Sequence, residues 1–155
     1  MRLDLRKIID QPGSELPFEF ELDVSNLDFP QVESYKSAPT AQGRVYNEAG
    51  VLHLAGSVTA DMICICDRCG DEFESEKTTE VDVVLVEEDS GDDPDLYLLE
   101  DDGIDVGDVM TTCFILDMET KFLCSEDCTG PADYSPQVEA DPRFAVLKQL
   151  LNQEE

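Results

Sequence analysis

Hydrophobic residues alternate with acidic ones near the start of the chain. Every second position of the segment 16–25 is apolar, and the positions between Phe18 and Val24 carry Glu or Asp. The apolar positions are Phe18, Phe20, Leu22 and Val24. Because successive side chains of a strand point to opposite faces, this period predicts an antiparallel strand with one buried and one solvated face.

A β-hairpin is predicted over residues 43–66. Asn47 to Gly50 supply its turn, because Gly50 can adopt a positive φ. The second strand of the hairpin runs on to Cys66, and Gly56 within it predicts a β-bulge. Another strand is predicted at about 74–86, so about four antiparallel strands form a sheet with one buried face.

Apolar residues then recur at helical spacing. The first helix is predicted over 105–118, with Asp105 as its N-cap. Its buried face is predicted to hold four residues: Val106, Val109, Cys113 and Leu116.

A second helix is predicted over 141–153, where Asp141 is the N-cap and Pro142 takes the first helical position. These elements predict an α+β fold, mainly an antiparallel β-sheet or partial barrel with two C-terminal helices. The chain has no internal repeat and no Pro/Ser-rich linker, so we expect a single domain over 1–155. An acidic surface loop is expected at about 87–104.

The charge balance limits the class of partner. The 155 residues include 37 acids against 10 Lys and Arg, which gives a formal charge of −27. Such a surface repels a phosphate backbone, so a wide nucleic-acid footprint is not expected, whereas a basic protein would be attracted. Plain solubility or an acid-rich, halophilic proteome explains the same charge without any partner.

The chain begins with no apolar run typical of a signal peptide, and no segment reaches the ~18–20 apolar residues of a membrane span. We therefore expect a cytoplasmic protein. In a reducing compartment, six cysteines favour metal ligands or buried thiols over disulfides.

Four cysteines have the spacing of a structural zinc site. Cys66 and Cys69 form C-x-x-C followed by Gly70, and Cys124 and Cys128 form C-x3-C. Two such knuckles supply the four thiolates of a tetrahedral zinc, which then has no open position for chemistry. Unmetallated buried thiols, a redox C-x-x-C and a disulfide framework are the alternatives.

The remaining chemistry-bearing residues are interpreted as structural. Cys64 shares a strand face with Cys66 and could approach the metal, but it and Cys113 are expected to be small buried hydrophobes. His53 is expected to be an exposed strand residue. No nucleophile motif, phosphate loop or calcium loop is present, so neither catalytic nor cofactor-binding residues are predicted and we expect no enzyme.

Three motifs in this order resemble the YceD family of large ribosomal RNA subunit accumulation proteins, over nearly the whole chain. The most recognisable is "CDRCGDEF" at 66–73, which contains Arg68 between the two cysteines. The others are "FLCSEDCTG" at 122–130 and "DPRFAVLKQLL" at 141–151. Many relatives carry further cysteines after the second motif and some lack the second pair, whereas this chain has none beyond Cys128.

The resemblance implies a non-enzymatic factor that supports accumulation of large-subunit ribosomal RNA and thus ribosome assembly. Genes of this family often neighbour that of a small basic ribosomal protein, which implies a basic ribosomal protein or pre-ribosomal particle as the partner. By the same resemblance the four knuckle cysteines are metal ligands, while Arg68, Asp141, Pro142 and Arg143 belong to the signature without a chemical role. Direct binding of ribosomal RNA by a zinc-containing protein, and cysteine-based redox sensing, are the alternative functions.

Overall fold

The computed structural model describes residues 1–87 and 96–131. Eight strands are present among them: β1 (Arg2–Asp4), β2 (Glu15–Glu21), β3 (Val32–Tyr35), β4 (Thr40–Glu48), β5 (Val51–Ile65), β6 (Glu72–Val86), β7 (Leu96–Leu98) and β8 (Gly103–Asp105). The helices are α1 (Arg6–Ile9), α2 (Val106–Leu116) and a 3₁₀ turn (Val24–Asn26). Six strands form one sheet in the order β2-β4-β5-β6-β7, with β3 pairing β5 beyond the end of β4, and β1 pairs β8 separately.

The prediction of a mainly antiparallel sheet is confirmed, because β7 alone among the described strands of that sheet lies parallel to its neighbour. The sheet is only partly barrel-like, since no described strand joins β2 to β7. The second predicted helix, 141–153, lies outside the described residues. The single domain over 1–155 stays a prediction. The range 87–104, expected to be an acidic loop, contains β7 and the start of β8.

The β4–β5 hairpin has the turn that the sequence predicts. Ala49 and Gly50 both have positive φ, 54° and 93°, as a two-residue hairpin turn requires. Asn47 is buried, and its side-chain carbonyl accepts from the Gly50 N–H at 2.9 Å. Its amide donates to the carbonyls of Ile8 and Ile9 at 2.8 and 2.7 Å, so this one side chain joins the turn to α1.

The bulge predicted at Gly56 is wrong. Both ladders of β5 run through Gly56 without a shift of register, and Gly56 lies opposite Gly43. A Cβ at Gly43 would lie 2.4 Å from the Ala55 carbonyl oxygen, and a Cβ at Gly56 would lie 2.4 Å from that of Gln42. The glycine therefore marks a close approach of two backbones, which is the other meaning of glycine in a strand.

Helix α2 covers one face of the sheet. Its buried residues are Val106, Val109, Met110 and Phe114. Phe114 is fully buried in the core and meets Phe29 edge to face at 6.5 Å between ring centroids. Leu116 was placed wrongly on this face: it is 76 % exposed, because the buried stripe is centred on Met110 and Leu116 lies beyond its edge at the end of the helix. Cys113 is half-buried beside the core.

Asp105 caps α2 as predicted, since its carboxylate accepts from the N–H groups of Gly107 and Asp108 at 2.8 and 3.2 Å. The same carboxylate lies 2.8 Å from the ammonium group of Met1. The hydrogen bond from this ammonium, together with the backbone donors, lowers the pKa of Asp105 despite its partial burial. The cap therefore fastens both the helix and β1. No helix among the residues described here is long and apolar enough to cross a membrane.

We expect Asp105→Ala to lower the free energy of unfolding by about 1 kcal/mol at neutral pH, the usual loss for an N-cap. Because the folded-state pKa is depressed, the contribution is complete above the ordinary Asp pKa and is lost as the pH falls through the folded value. The gap between wild type and variant in urea unfolding should thus shrink below about pH 4. Glu119→Ala, an exposed carboxylate outside the cap, is the control and should show no such gap.

Candidate metal centre

The first knuckle, residues 66–70, is the tip of the β5–β6 hairpin. The two strands pair up to Ile65 and Glu72, so the connection between them is short. The Cys66 N–H donates to the Asp71 carbonyl and the Gly70 N–H donates to the Cys66 carbonyl, both at 2.9 Å. Gly70 has a φ of 78°, which a glycine adopts without strain. This turn brings Cys66 and Cys69 to the same side.

The second knuckle, residues 124–130, follows α2. The Cys128 N–H donates to the Ser125 carbonyl at 3.2 Å, which closes the turn between its two cysteines. Gly130 has a φ of 92° and packs against Arg68, since a Cβ there would lie 3.5 Å from the Arg68 carbonyl oxygen. The second knuckle thus lies directly against the first.

The four sulfurs form a compact group across the two knuckles. Sγ of Cys66 lies 3.8 Å from Sγ of Cys128, and Sγ of Cys69 lies 3.8 Å from Sγ of Cys124. All four lie within 4.8 Å of one another. Four sulfurs that each lie about 2.3 Å from a zinc ion are about 3.8 Å apart along the edges of the tetrahedron. The spacing therefore fits a tetrahedral metal and is far longer than the ~2 Å of a disulfide.

The thiols also differ in acidity, because they share hydrogen bonds. Backbone N–H groups of Cys124 and Cys69 lower the pKa of Cys66 to about 6. The backbone N–H of Asp71 acts to lower the pKa of Cys69, but burial and the bond to Cys66 together raise it to about 12. The bond to Cys128 raises the pKa of Cys124. One thiolate is thus favoured at neutral pH and opposes ionisation of its neighbours, and a divalent cation would remove that opposition.

Asp67 ties the two knuckles together through Phe122. The Asp67 N–H donates to the Phe122 carbonyl at 2.8 Å, and the Phe122 N–H donates to the Asp67 carboxylate at 2.7 Å. The Phe122 ring is buried in the core. This reciprocal pair of hydrogen bonds fixes the chain just before Cys124 against the tip of the hairpin.

Arg68 has a structural reason to stand between two ligands. Its guanidinium reaches across to the second knuckle and donates to the carbonyls of Glu126 and Cys128. Both hydrogen bonds come from Nη1 of the guanidinium, so one nitrogen links these two carbonyls. Arg68 of the first knuckle therefore holds the second knuckle in place through its carbonyls.

In protein loaded with zinc, we expect Arg68→Ala to release the metal roughly 10-fold faster to a chelator, the lower end of the effect of losing a partner that orients metal ligands. The remaining hydrogen bonds of Asp67 should keep the knuckles folded, so the zinc content at rest should change little. The measurement is the rate of zinc transfer to a chromogenic chelator in a stopped-flow mixing experiment. Lys121→Ala removes an exposed cation near the same knuckle and should leave the rate unchanged.

The other two cysteines lie apart from this group. Cys64 is fully buried in the core, where burial raises its pKa. Cys113 has its sulfur 3.6 Å from the Tyr97 hydroxyl. The interpretation of both as small buried groups is confirmed for Cys64 and holds in part for Cys113, which is half-buried.

His53 lies in a strand as expected, but the expectation that it is exposed is wrong: it is half-buried and stacks on Tyr46, with ring centroids 5.2 Å apart and planes at 15°. The Arg44 guanidinium lies over the Tyr46 ring, 5.2 Å from its centroid. It also donates a hydrogen bond to the Glu15 carboxylate at 3.0 Å. The sequence pattern does not single out this stack. Once the turn is placed at 49–50, however, the register puts Tyr46 opposite His53.

Comparison with known proteins identifies a family. The family model "Large ribosomal RNA subunit accumulation protein YceD" matches residues 54–151, a range that contains all four cysteines, β6 and α2. No curated protein and no solved structure shows significant similarity. Because the match covers well over half of the chain and includes both knuckles, the chain belongs to the YceD family.

Proposed function

We propose that this protein is a non-enzymatic cytoplasmic factor that supports accumulation of large-subunit ribosomal RNA, and thereby ribosome assembly. It does so by binding a basic ribosomal protein or a pre-ribosomal particle. The family match over 54–151 is the observation that carries this proposal. The formal charge of −27 supports a basic protein as the direct partner, since it attracts cations over the whole surface.

The described cations offer little to a phosphate backbone. Five of them are paired with carboxylates in the structure: Arg2, Arg6, Lys36, Arg44 and Lys77. Arg68, which with Arg143 could have made a small basic spot, is turned to two carbonyls, and Arg143 lies outside the described residues. In this proposal, the protein therefore acts on ribosomal RNA through a protein partner and does not bind the RNA directly.

The proposed cofactor is one structural zinc held by Cys66, Cys69, Cys124 and Cys128. The support is the 3.8 Å spacing of the sulfurs across the knuckles. Four thiolates fill the coordination sphere, so the metal joins the end of the β5–β6 hairpin to the segment after α2 and has no position open to a substrate.

The test is affinity purification of the tagged protein from its own cells at about 50 mM salt, followed by a salt series. A basic large-subunit protein or precursor particle should be recovered and should dissociate as salt screens the attraction. Recovery of no ribosomal component at low salt would contradict the proposal.

Two further measurements separate the alternative functions. A gel shift of purified protein with large-subunit RNA fragments at about 50 mM salt would indicate direct RNA binding, which is salt-sensitive for a phosphate contact. Redox sensing requires free thiols that cycle, so about one zinc per chain with no reactive thiol at the four positions would contradict it.

A further inference from the structure

Among the described strands, β6 has one edge that is unpaired over most of its length. One side of β6 pairs with β5 from Glu72 to Leu85, and the other side pairs with β7 only at Val84–Val86. No described strand pairs with the outer side of β6 over residues 72–83. These residues span roughly 35–40 Å at about 3.3 Å per residue. Unpaired N–H and C=O groups along such an edge are a template for another strand.

The solvent face of this edge is a row of carboxylates. At alternate positions of β6, five exposed acids share the face away from the core: Glu72, Glu74, Glu76, Glu80 and Asp82. Among the described residues, Glu74 alone of these pairs with a cation, the ammonium of Lys36 at 2.7 Å. Thr78 interrupts the row, so negative charge lies at about 7 Å intervals over 72–76 and again over 80–82.

Like charges also face each other across the strands. Exposed Asp61 on β5 lies directly opposite Glu76 on β6. Two carboxylates at this position repel, and the pairing is destabilising in an isolated sheet. A cation placed between them from outside would remove this repulsion, so the arrangement itself favours a positively charged partner.

The charge row excludes two other occupants. A second copy of the chain that paired edge to edge would set one row of carboxylates against another, which opposes self-association. A nucleic acid would bring its phosphates to the same row. An extended protein segment with Lys or Arg at alternate positions could form hydrogen bonds with the unpaired backbone groups of β6 and ion pairs with the carboxylates.

We propose that a lysine- or arginine-rich segment of a protein partner adds to the edge of β6 as an extra strand. Main-chain hydrogen bonds along 72–83 hold it, and its basic side chains at every second position lie against the carboxylate row. Addition of a strand to an open edge is an established mode of peptide recognition. The inference rests on the proposed function, because it names the surface that would receive the basic ribosomal partner.

The first test measures binding of fluorescent 12-residue peptides by anisotropy. A peptide that alternates Lys and Thr should bind at least 10-fold tighter than a peptide with the same residues in two blocks. It should also bind at least 10-fold tighter than an alternating peptide that is N-methylated at one Lys and one Thr. One of these two amides faces β6 in either strand direction, and a methylated amide cannot donate to a ladder. Equal affinity for the three would show attraction by charge alone and would overturn the proposal.

The second test compares two variants with the same change of charge. The triple variant Glu76→Lys, Glu80→Lys and Asp82→Lys should weaken the alternating peptide at least 10-fold. The matched control replaces three exposed acids on other strands, Glu19→Lys, Glu33→Lys and Glu48→Lys, and should change the affinity less than twofold. Equal losses in both variants would overturn the assignment to β6. Circular dichroism and thermal melting verify that both variants fold.

Amide exchange followed by NMR checks the backbone contacts. Outward amides of 72–83 should exchange fast in the free protein and slow on addition of the alternating peptide. Full protection of all these amides before the peptide is added would mean that the edge is already covered and would overturn the proposal.

Affinity purification separates this inference from the proposed function. If wild type and the triple variant recover ribosomal proteins equally, the edge is not the site, while the function stands. If the peptide binds as expected but wild type recovers nothing ribosomal, the proposed function fails and the edge remains a site for basic segments.

Discussion

Replacing Cys66 with serine is expected to abolish binding of the proposed zinc ion and to lower the free energy of unfolding by about 4 kcal/mol, the stabilisation that a ligand provides at 1,000 times its dissociation constant. The physical reason is the geometry across the two knuckles. The Cys66 and Cys128 sulfurs make one of the two 3.8 Å contacts, so the loss of the Cys66 sulfur leaves three of the four sulfurs that the tetrahedral site needs. Metal analysis gives the zinc content, and chemical unfolding at fixed free zinc gives the stability. Cys124→Ser should behave alike.

Cys113→Ser is the matched control, because it removes a half-buried thiol outside the four-thiol group. It should keep one zinc per chain and lose far less stability. Full zinc content in Cys66→Ser would contradict the four-cysteine site. Adding a strong chelator to the wild type should reproduce the loss of stability of the Cys66→Ser variant, and that agreement separates the effect of the metal from the effect of a buried hydroxyl.

Gly56→Ala is expected to cost about 3 kcal/mol, the upper range for forcing an atom into a packed site. The new Cβ would lie 2.4 Å from the Gln42 carbonyl oxygen and 2.9 Å from the Gly43 Cα. Both are backbone atoms, so no side-chain rotation relieves the overlap and the β4–β5 ladder must open locally. Thermal unfolding followed by circular dichroism measures the loss.

Ser57→Ala, at the next position of β5, is the control for introducing alanine into this strand and should change stability by less than about 0.5 kcal/mol. Gly43→Ala should be as harmful as Gly56→Ala, since its Cβ would meet the Ala55 carbonyl oxygen at 2.4 Å. A stable Gly56→Ala variant would show that the strands can separate at this point without loss of pairing elsewhere.

Much of the fold follows from local pattern. The hairpin turn, the long strands β5 and β6 and the cap of α2 are set by residues close in sequence, such as Gly50 and Asp105, so the sequence predicts them. Leu116 was assigned wrongly to the core because helical spacing gives a direction but does not show where the sheet beneath the helix ends.

The candidate metal site, too, could be predicted from the sequence only in part. Knuckle spacing predicts which cysteines can share a metal, and the structure brings those four together. The contacts of Asp67 and Arg68 could not be predicted, because their partners are the backbone groups of Phe122, Glu126 and Cys128. Every residue has a backbone carbonyl, so the sequence does not indicate which carbonyl a side chain will bond to. Likewise, Gly56 signals a special backbone but does not distinguish a bulge from a close approach.

Pairing of β1 with β8 sets the order in which the chain can fold during synthesis. Leu3 pairs with Ile104, so the first strand has no partner until some hundred residues later have been made. At ~5–20 residues per second, synthesis of these residues takes on the order of 5–20 s. During this time the N-terminal strand stays unpaired while the sheet forms. The chain should therefore close late, and nascent chains arrested before residue 100 should leave this segment open to proteases, whereas chains arrested well after α2 should protect it.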